Sequence, residues 1–302
     1  MHEVQRTDDV IRRLVQWVEE QAAIRAVLLT STRSIPSAAL DAYSDYDVIL
    51  VVRDIHPFVL DRRWVEVFGE VLVAYWDPIH PDPDYGIEYG GNVIQYADGL
   101  KIDFTIWPVS LLERIASASS LPAELDAGYQ VLPDKDRLTA NLQAPTNTSY
   151  IPARPDELTF QTTINDFVVG APYVAKCLLG DELLPAKWCL DFDMRDVYLR
   201  PMLEWRLECD HDWSIPVGAL GKGLKRRLSP AIWAELEDTY AGAGIEDNWE
   251  SLFRMMAFFG RVARDVAAHL GYAYLDELDE RVTAHVRRMR DEESALPVRS
   301  EA

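Results

Sequence analysis

The chain has 302 residues, 48% of them apolar, with 50 acidic against 30 basic side chains and a formal net charge of −20. Such a surface repels nucleic-acid backbones and anionic membranes and attracts cations, so neither nucleic acid nor a membrane is expected as a partner. No apolar run is long enough to span a bilayer, no signal-peptide core opens the chain, and Cys177, Cys189 and Cys209 lack CxxC spacing, which points to reduced thiols in a cytoplasmic protein.

Apolar Ile11, Leu14, Val15 and Val18 recur at helical spacing and predict a helix over residues 8–23, with Thr7 or Asp8 as its cap. Ala26-Val27-Leu28-Leu29 reads as a strand, and the Ser/Thr/Ala-rich stretch from Thr30 to Ser44 as a helical turn plus loop. A buried strand follows at Val48 to Val52, a helix at 57–68 and a strand at Val71 to Trp76. Asn92 to Ala97 and Leu100 to Trp107 flank Asp98-Gly99, a strong signal for a two-residue hairpin. The first half is thus a mixed α/β (α+β) domain on one sheet.

Pro145, Pro152 and Pro155 among polar residues mark a linker at 143–158, which bounds a first domain at 1–142. Beyond it, Phe160 to Leu179, Pro185 to Cys209, Pro230 to Tyr240 and Trp249 to Leu270 carry apolar residues at three- and four-residue intervals. With a charged last helix at Leu275 to Arg290, they form an all-helical bundle domain at 159–290, and residues 291–302 read as a disordered tail.

The chemistry concentrates in the first half. Asp45 and Asp47 lead into the strand Val48 to Val52 and, being two apart in extended chain, project to one face. Asp103 interrupts a second apolar strand, where it shares a face with Lys101 and Thr105. If the two strands are neighbours, three carboxylates converge, an arrangement that is costly unless a cation lies between them. Mg²⁺ prefers carboxylate oxygens and substrate phosphates, so the pattern suggests metal-dependent transfer of a phosphorus-containing group. A Walker-type phosphate loop is absent, and the six histidines are scattered without metal-ligand spacing.

A hydroxyl residue in a tight turn, then D-x-D, then a later strand Asp is the pattern of the nucleotidyltransferase superfamily. Ser31-Thr32-Arg33-Ser34-Ile35-Pro36 with Asp45-Tyr46-Asp47-Val48 resembles the G-S-R-x-N-P…D-Y-D-[IV] signature of aminoglycoside 6-adenylyltransferases, the streptomycin-modifying enzymes. Asp98-Gly99-Leu100-Lys101-Ile102-Asp103-Phe104-Thr105 is similar to their D-G-x-x-I-D-[LF]-T stretch. Pro172 to Lys176, Ala186-Lys187, Arg200 to Leu203, Leu252 to Met255 and Leu270-Gly271-Tyr272 extend the resemblance, in order, over nearly the whole chain.

The resemblance implies a nucleotidyltransferase-like catalytic domain followed by the helical one. It implies transfer of AMP from Mg-ATP to a hydroxyl of an aminoglycoside, with release of pyrophosphate. Asp45 and Asp47 would hold Mg²⁺; Asp103 would act as general base or complete the metal shell. Thr32, Arg33, Lys176 and Lys187 would bind the nucleotide. For the cationic acceptor, carboxylates suit ammonium and guanidinium groups, and Glu88, Asp181, Glu182 and Glu204 are the candidates. One position departs from the family: Ser31 adds a Cβ where the signature has glycine, a residue free to adopt positive φ. Two other readings stand beside the first, a nucleotidyltransferase with a different acceptor and a catalytically silent relative.

Overall fold

A computed structural model describes residues 2–34 and 44–294, which fall into two compact units, Met1–Ser149 and Tyr150–Ala302. Most of the turn and loop expected after Thr30, Ile35 and Pro36 of the motif, and residues 295–302 of the expected tail lie outside the described residues.

The first unit is built on one six-stranded sheet with strand order β3-β4-β5-β2-β1-β6. Its strands are β1 (Ile24–Thr30), β2 (Tyr46–Val52), β3 (Val71–Pro81), β4 (Glu88–Tyr96), β5 (Lys101–Pro108) and β6 (Tyr129–Asp134). β2 and β5 pair in parallel, and every other pairing is antiparallel. Strand alternation sorts the side chains into two layers. Val27, Leu29, Val48, Leu50, Ile102, Phe104 and Ile106 face a core completed by Val10, Leu14, Trp17 and Val18 of helix α1 (His2–Glu20). Ala26, Leu28, Ile49, Val51 and Trp107 face the other way, onto Leu111, Leu112 and Ile115 of α3 (Val109–Ala116).

Several expectations need adjustment. α1 begins at His2, ahead of the cap expected at Thr7 or Asp8. The helix expected over 57–68 is a short α2 (His56–Leu60) and a 3-10 helix Arg62–Phe68, separated by Asp61 in extended conformation. The Asp61 carboxylate accepts from the Arg63 backbone N–H and so restarts the chain as a new helix. At the Asp98-Gly99 turn Gly99 takes φ +84, and the Asp98 carboxylate accepts from the Leu100 N–H. α4 (Ala123–Asp126) and β6 close the sheet edge beside β1.

The second unit is helical: α5 (Glu157–Leu179), α6 (Leu183–Lys187), a π-helical segment (Trp188–Leu199), α7 (Arg200–Cys209), α8 (Leu224–Arg227), α9 (Pro230–Glu237), α10 (Ile245–Leu270) and α11 (Asp276–Ser294). Asp156 caps α5 by accepting from the Thr159 N–H, and Gly271 ends α10 at φ +77. Phe167 of α5 and Phe259 of α10 stack with ring centroids 3.7 Å apart in a core that excludes solvent. The continuous helix expected from Pro185 to Cys209 instead widens into the π segment. Pro201 stands in the first turn of α7, directly after the π segment. α11 runs to Ser294. All three cysteines are free and buried. Among the described residues no helix is long and apolar enough to cross a membrane.

Candidate active site

The parallel pairing of β2 with β5 places Asp47 directly opposite Asp103. Asp47 continues the row Ile49, Val51; Asp103 continues the row Thr105, Trp107. Both rows point to the α3 side of the sheet, since Ile49, Val51 and Trp107 pack in that layer. Asp45, one residue ahead of β2, shares that face, and the side chains confirm it. Lys101 Nζ donates to Asp45 Oδ2 at 2.6 Å and to Asp103 Oδ2 at 2.8 Å, bridging two strands distant in sequence. Three carboxylates and one ammonium therefore lie together at the end of the sheet.

The electrostatics of the cluster are unbalanced. Burial raises the Asp47 pKa above the usual carboxylate value, and the neighbouring Asp103 charge raises it further. A hydrogen bond from the Ser31 hydroxyl and the charge of Lys101 oppose this without cancelling it. Burial lowers the Lys101 pKa, but its hydrogen bonds to Asp103 and Asp45 outweigh that and leave it raised. Asp103 Oδ1 is buried and has no hydrogen-bond partner among the described residues. An orphaned carboxylate oxygen beside a second, proton-attracting carboxyl is what a hard cation would satisfy, because both offer oxygen donors. The residues present fit a divalent metal. As the side chains stand, no group of three acidic, His or Cys residues among the described residues is closed around a metal position, and Lys101 holds Asp45 Oδ2 and Asp103 Oδ2.

The turn after β1 supports this cluster. Ser31–Ser34 forms a 3-10 helix whose first residue, Ser31, has φ +59. A non-glycine residue there is strained unless local bonds hold it. Ser34 Oγ lies 2.7 Å from the Ser31 carbonyl and 2.6 Å from the Gly128 carbonyl, and the Ser31 hydroxyl donates to Asp47. The serine thus adopts the backbone conformation that the signature glycine allows, and adds a bond to the acidic cluster. Thr32 sits half-buried in the same turn. Arg33 donates to the Asp45 carbonyl at 2.9 Å and to the Ser44 carbonyl at 2.6 Å, with its guanidinium 3.8 Å from the Tyr46 ring centroid. It clamps the approach to β2 and thereby positions Asp45.

The remaining expected site residues belong to other elements. Glu88 opens β4 and, by alternation from Gly91 and Val93, falls on the sheet face opposite Asp103. A one-residue offset along a strand reverses the face. In the second unit, Lys176 is exposed on α5. Lys187 pairs with Asp191 at 2.8 Å and donates to the Ala241 carbonyl. Asp181 and Glu182 are exposed between α5 and α6, with Asp181 at φ +56. Glu204 is 8% exposed and bound at 2.9 Å to Arg200, a guanidinium it shares with Asp196.

Sequence reasoning missed two residues on the catalytic face. Asp77 pairs with Gly91, which pairs with Thr105, so Asp77 lies two strands across from Asp103 on the same face. Its Oδ2 would be 3.4 Å from a Cβ at Gly91, so the glycine leaves the carboxylate room over the sheet. Tyr75, two residues earlier, is 60% exposed on that face. The signal was the Tyr75/Asp77 alternation, legible once β3 extends to Pro81.

Comparison with known proteins gives the family. The family model described as streptomycin adenylyltransferase matches residues 4–289. An aminoglycoside 6-adenylyltransferase of Bacillus subtilis (strain 168) is 30% identical over 263 residues, 87% of this chain and 90% of that protein. One from Campylobacter jejuni is 26% identical over 280 residues, 92% of this chain and 93% of the relative. A crystal structure of an aminoglycoside 6-adenyltransferase from Bacillus subtilis is similar at 25% identity and a TM-score of 0.43, covering 92% of this chain and 96% of that one. The chain belongs to the streptomycin adenylyltransferase family and is an adenylyltransferase.

Proposed function

We propose that this protein transfers AMP from Mg-ATP to a hydroxyl of an aminoglycoside such as streptomycin, releasing pyrophosphate in the cytoplasm. The observation that carries the reading is the registered pair Asp47 and Asp103 on one face, with Asp45 beside them. Asp45, Asp47 and Asp103 would hold Mg²⁺, which when bound neutralises phosphate charge and polarises the α-phosphorus. Thr32, in the turn beside Asp47, would offer its hydroxyl to a phosphate oxygen. Arg33 keeps Asp45 in place through its backbone. Asp103 would accept the proton of the attacking hydroxyl as the new oxygen–phosphorus bond forms and the bond to the β-phosphate breaks. Asp77 and Tyr75 supply a carboxylate and an aromatic ring for a cationic acceptor. The relatives named above support an aminoglycoside in that role, and the net charge of −20 favours cations in general.

The test mixes protein, MgATP and streptomycin and follows pyrophosphate. Streptomycin-dependent release that disappears in Asp47→Asn is expected. Release with other acceptors only would replace the acceptor. Absence of MgATP binding at millimolar concentration would show a silent relative instead.

A further inference from the structure

Lys101 is the feature that the adenylyl-transfer reading leaves unused. It stands two residues before Asp103 on β5, so alternation sends both side chains to the catalytic face. The pairing of Tyr46 with Ile102 brings Asp45 alongside Lys101 one step further along. The topology therefore forces an ammonium between two of the three carboxylates. It does so incompletely. Lys101 Nζ reaches Asp45 Oδ2 and Asp103 Oδ2, while Asp103 Oδ1 stays buried without a partner among the described residues. Among the described residues, the Lys101 ammonium is the positive charge bonded to these carboxylates, and the Arg33 guanidinium donates to the Asp45 and Ser44 carbonyls at the edge.

We infer that Lys101 is a positioning residue and an internal competitor for the divalent cation: it holds Asp45 and Asp103 in place before nucleotide arrives, and must release them for the metal to bind. This inference rests on the reading that the acidic cluster holds a divalent metal. Lysine suits such a role. Its ammonium is a compact point charge on a flexible stem, and here the side chain is 28% exposed, so it has somewhere to go. The triphosphate supplies the alternative partner, because its oxygens can accept the ammonium as the carboxylates turn to the metal. Cation and nucleotide would then bind together, and the nucleotide-free protein would hold divalent cations weakly. The same ammonium relieves carboxylate repulsion during folding, when no metal is present.

The experiment measures Mn²⁺ binding to the nucleotide-free full chain by the loss of its free-ion electron paramagnetic resonance signal, at constant ionic strength. Wild type is compared with Lys101→Met, which keeps the stem and removes the charge, and with Lys101→Arg, which keeps the charge. Circular dichroism confirms that each variant is folded. The methionine variant is expected to bind Mn²⁺ about tenfold tighter or more, a modest share of the attraction between unit charges about 4 Å apart in a partly solvated site. The arginine variant is expected to stay close to wild type. A folded methionine variant that binds Mn²⁺ no more tightly than wild type overturns the inference, and so does an arginine variant that tightens as much as methionine. Asp47→Asn and Asp103→Asn separate the two levels. Mn²⁺ binding that these changes abolish, without tightening in Lys101→Met, sinks the lysine role alone. Mn²⁺ binding that neither change affects, or none in any variant, sinks the metal site and the lysine role together.

Discussion

Replacing Asp47 by asparagine should make the protein more stable and inactive at once. Asp47 faces Asp103 across a parallel pair, and burial first and the Asp103 charge second hold its carboxyl pKa above the ordinary value of 3.8. A carboxyl whose folded pKa exceeds its unfolded one binds more protons in the folded state. Stability therefore falls as pH rises from the ordinary value through the raised one, and stays lowered above it. Asparagine keeps the shape and an oxygen for the Ser31 hydroxyl, but removes the charge. Facing residues on neighbouring strands lie about 5 Å apart. Two like charges at that distance repel by about 3 kcal/mol at an effective dielectric of about 20. Lys101 and solvent reduce this, leaving an expected gain of about 1–2 kcal/mol at neutral pH, or about 3–6 °C in melting temperature. The gain should shrink as pH falls through the raised Asp47 pKa toward 3.8, because the folded wild-type carboxyl takes its proton above that ordinary value. Adenylyl transfer should fall by about 10²–10³ or more, because charge stabilisation at the phosphate is lost. Thermal unfolding by circular dichroism across this pH range, with pyrophosphate release on the same samples, reads both effects. A variant that melts lower than wild type at neutral pH, or that keeps full activity, refutes the reasoning.

Other outcomes follow from the same geometry. Ser31→Gly relieves a left-handed serine but loses its bond to Asp47, so stability should stay within about 1 kcal/mol. Removing the Cβ should tighten MgATP binding in calorimetry, and unchanged affinity would show that the serine does not crowd the nucleotide. Asp77→Asn should raise KM for a cationic acceptor by about tenfold while leaving KM for MgATP unchanged, consistent with loss of one partly exposed charge-assisted bond of about 1.5 kcal/mol; equal changes in both would remove Asp77 from acceptor recognition. Phe259→Ala empties the stack against Phe167 and should cost about 3–5 kcal/mol in denaturant unfolding. A loss under 1 kcal/mol would mean that the helical core collapses around the gap.

Local spacing determined much of this protein. Two-residue alternation alone puts Asp45 with Asp47, and Lys101 with Asp103 and Thr105. The Asp98-Gly99 dipeptide turns β4 into β5, and three- and four-residue periodicity makes the second unit helical. These are properties of consecutive residues, and consecutive residues carry them. What only the tertiary structure decided is which strand lies beside which. β2 and β5 are far apart in sequence and parallel, with β3 and β4 between them in the chain, and their register brings Asp47 opposite Asp103. That register is set by packing Val48, Leu50, Phe104 and Ile106 against α1 and the Trp64–Phe68 region, contacts that no local window contains. The same long-range packing puts Glu88 on the sheet face opposite Asp103 and joins Lys101 to Asp45. A side chain's partners are chosen by the fold as a whole, because burial energy depends on what lies across the interface and not on what lies next in the chain.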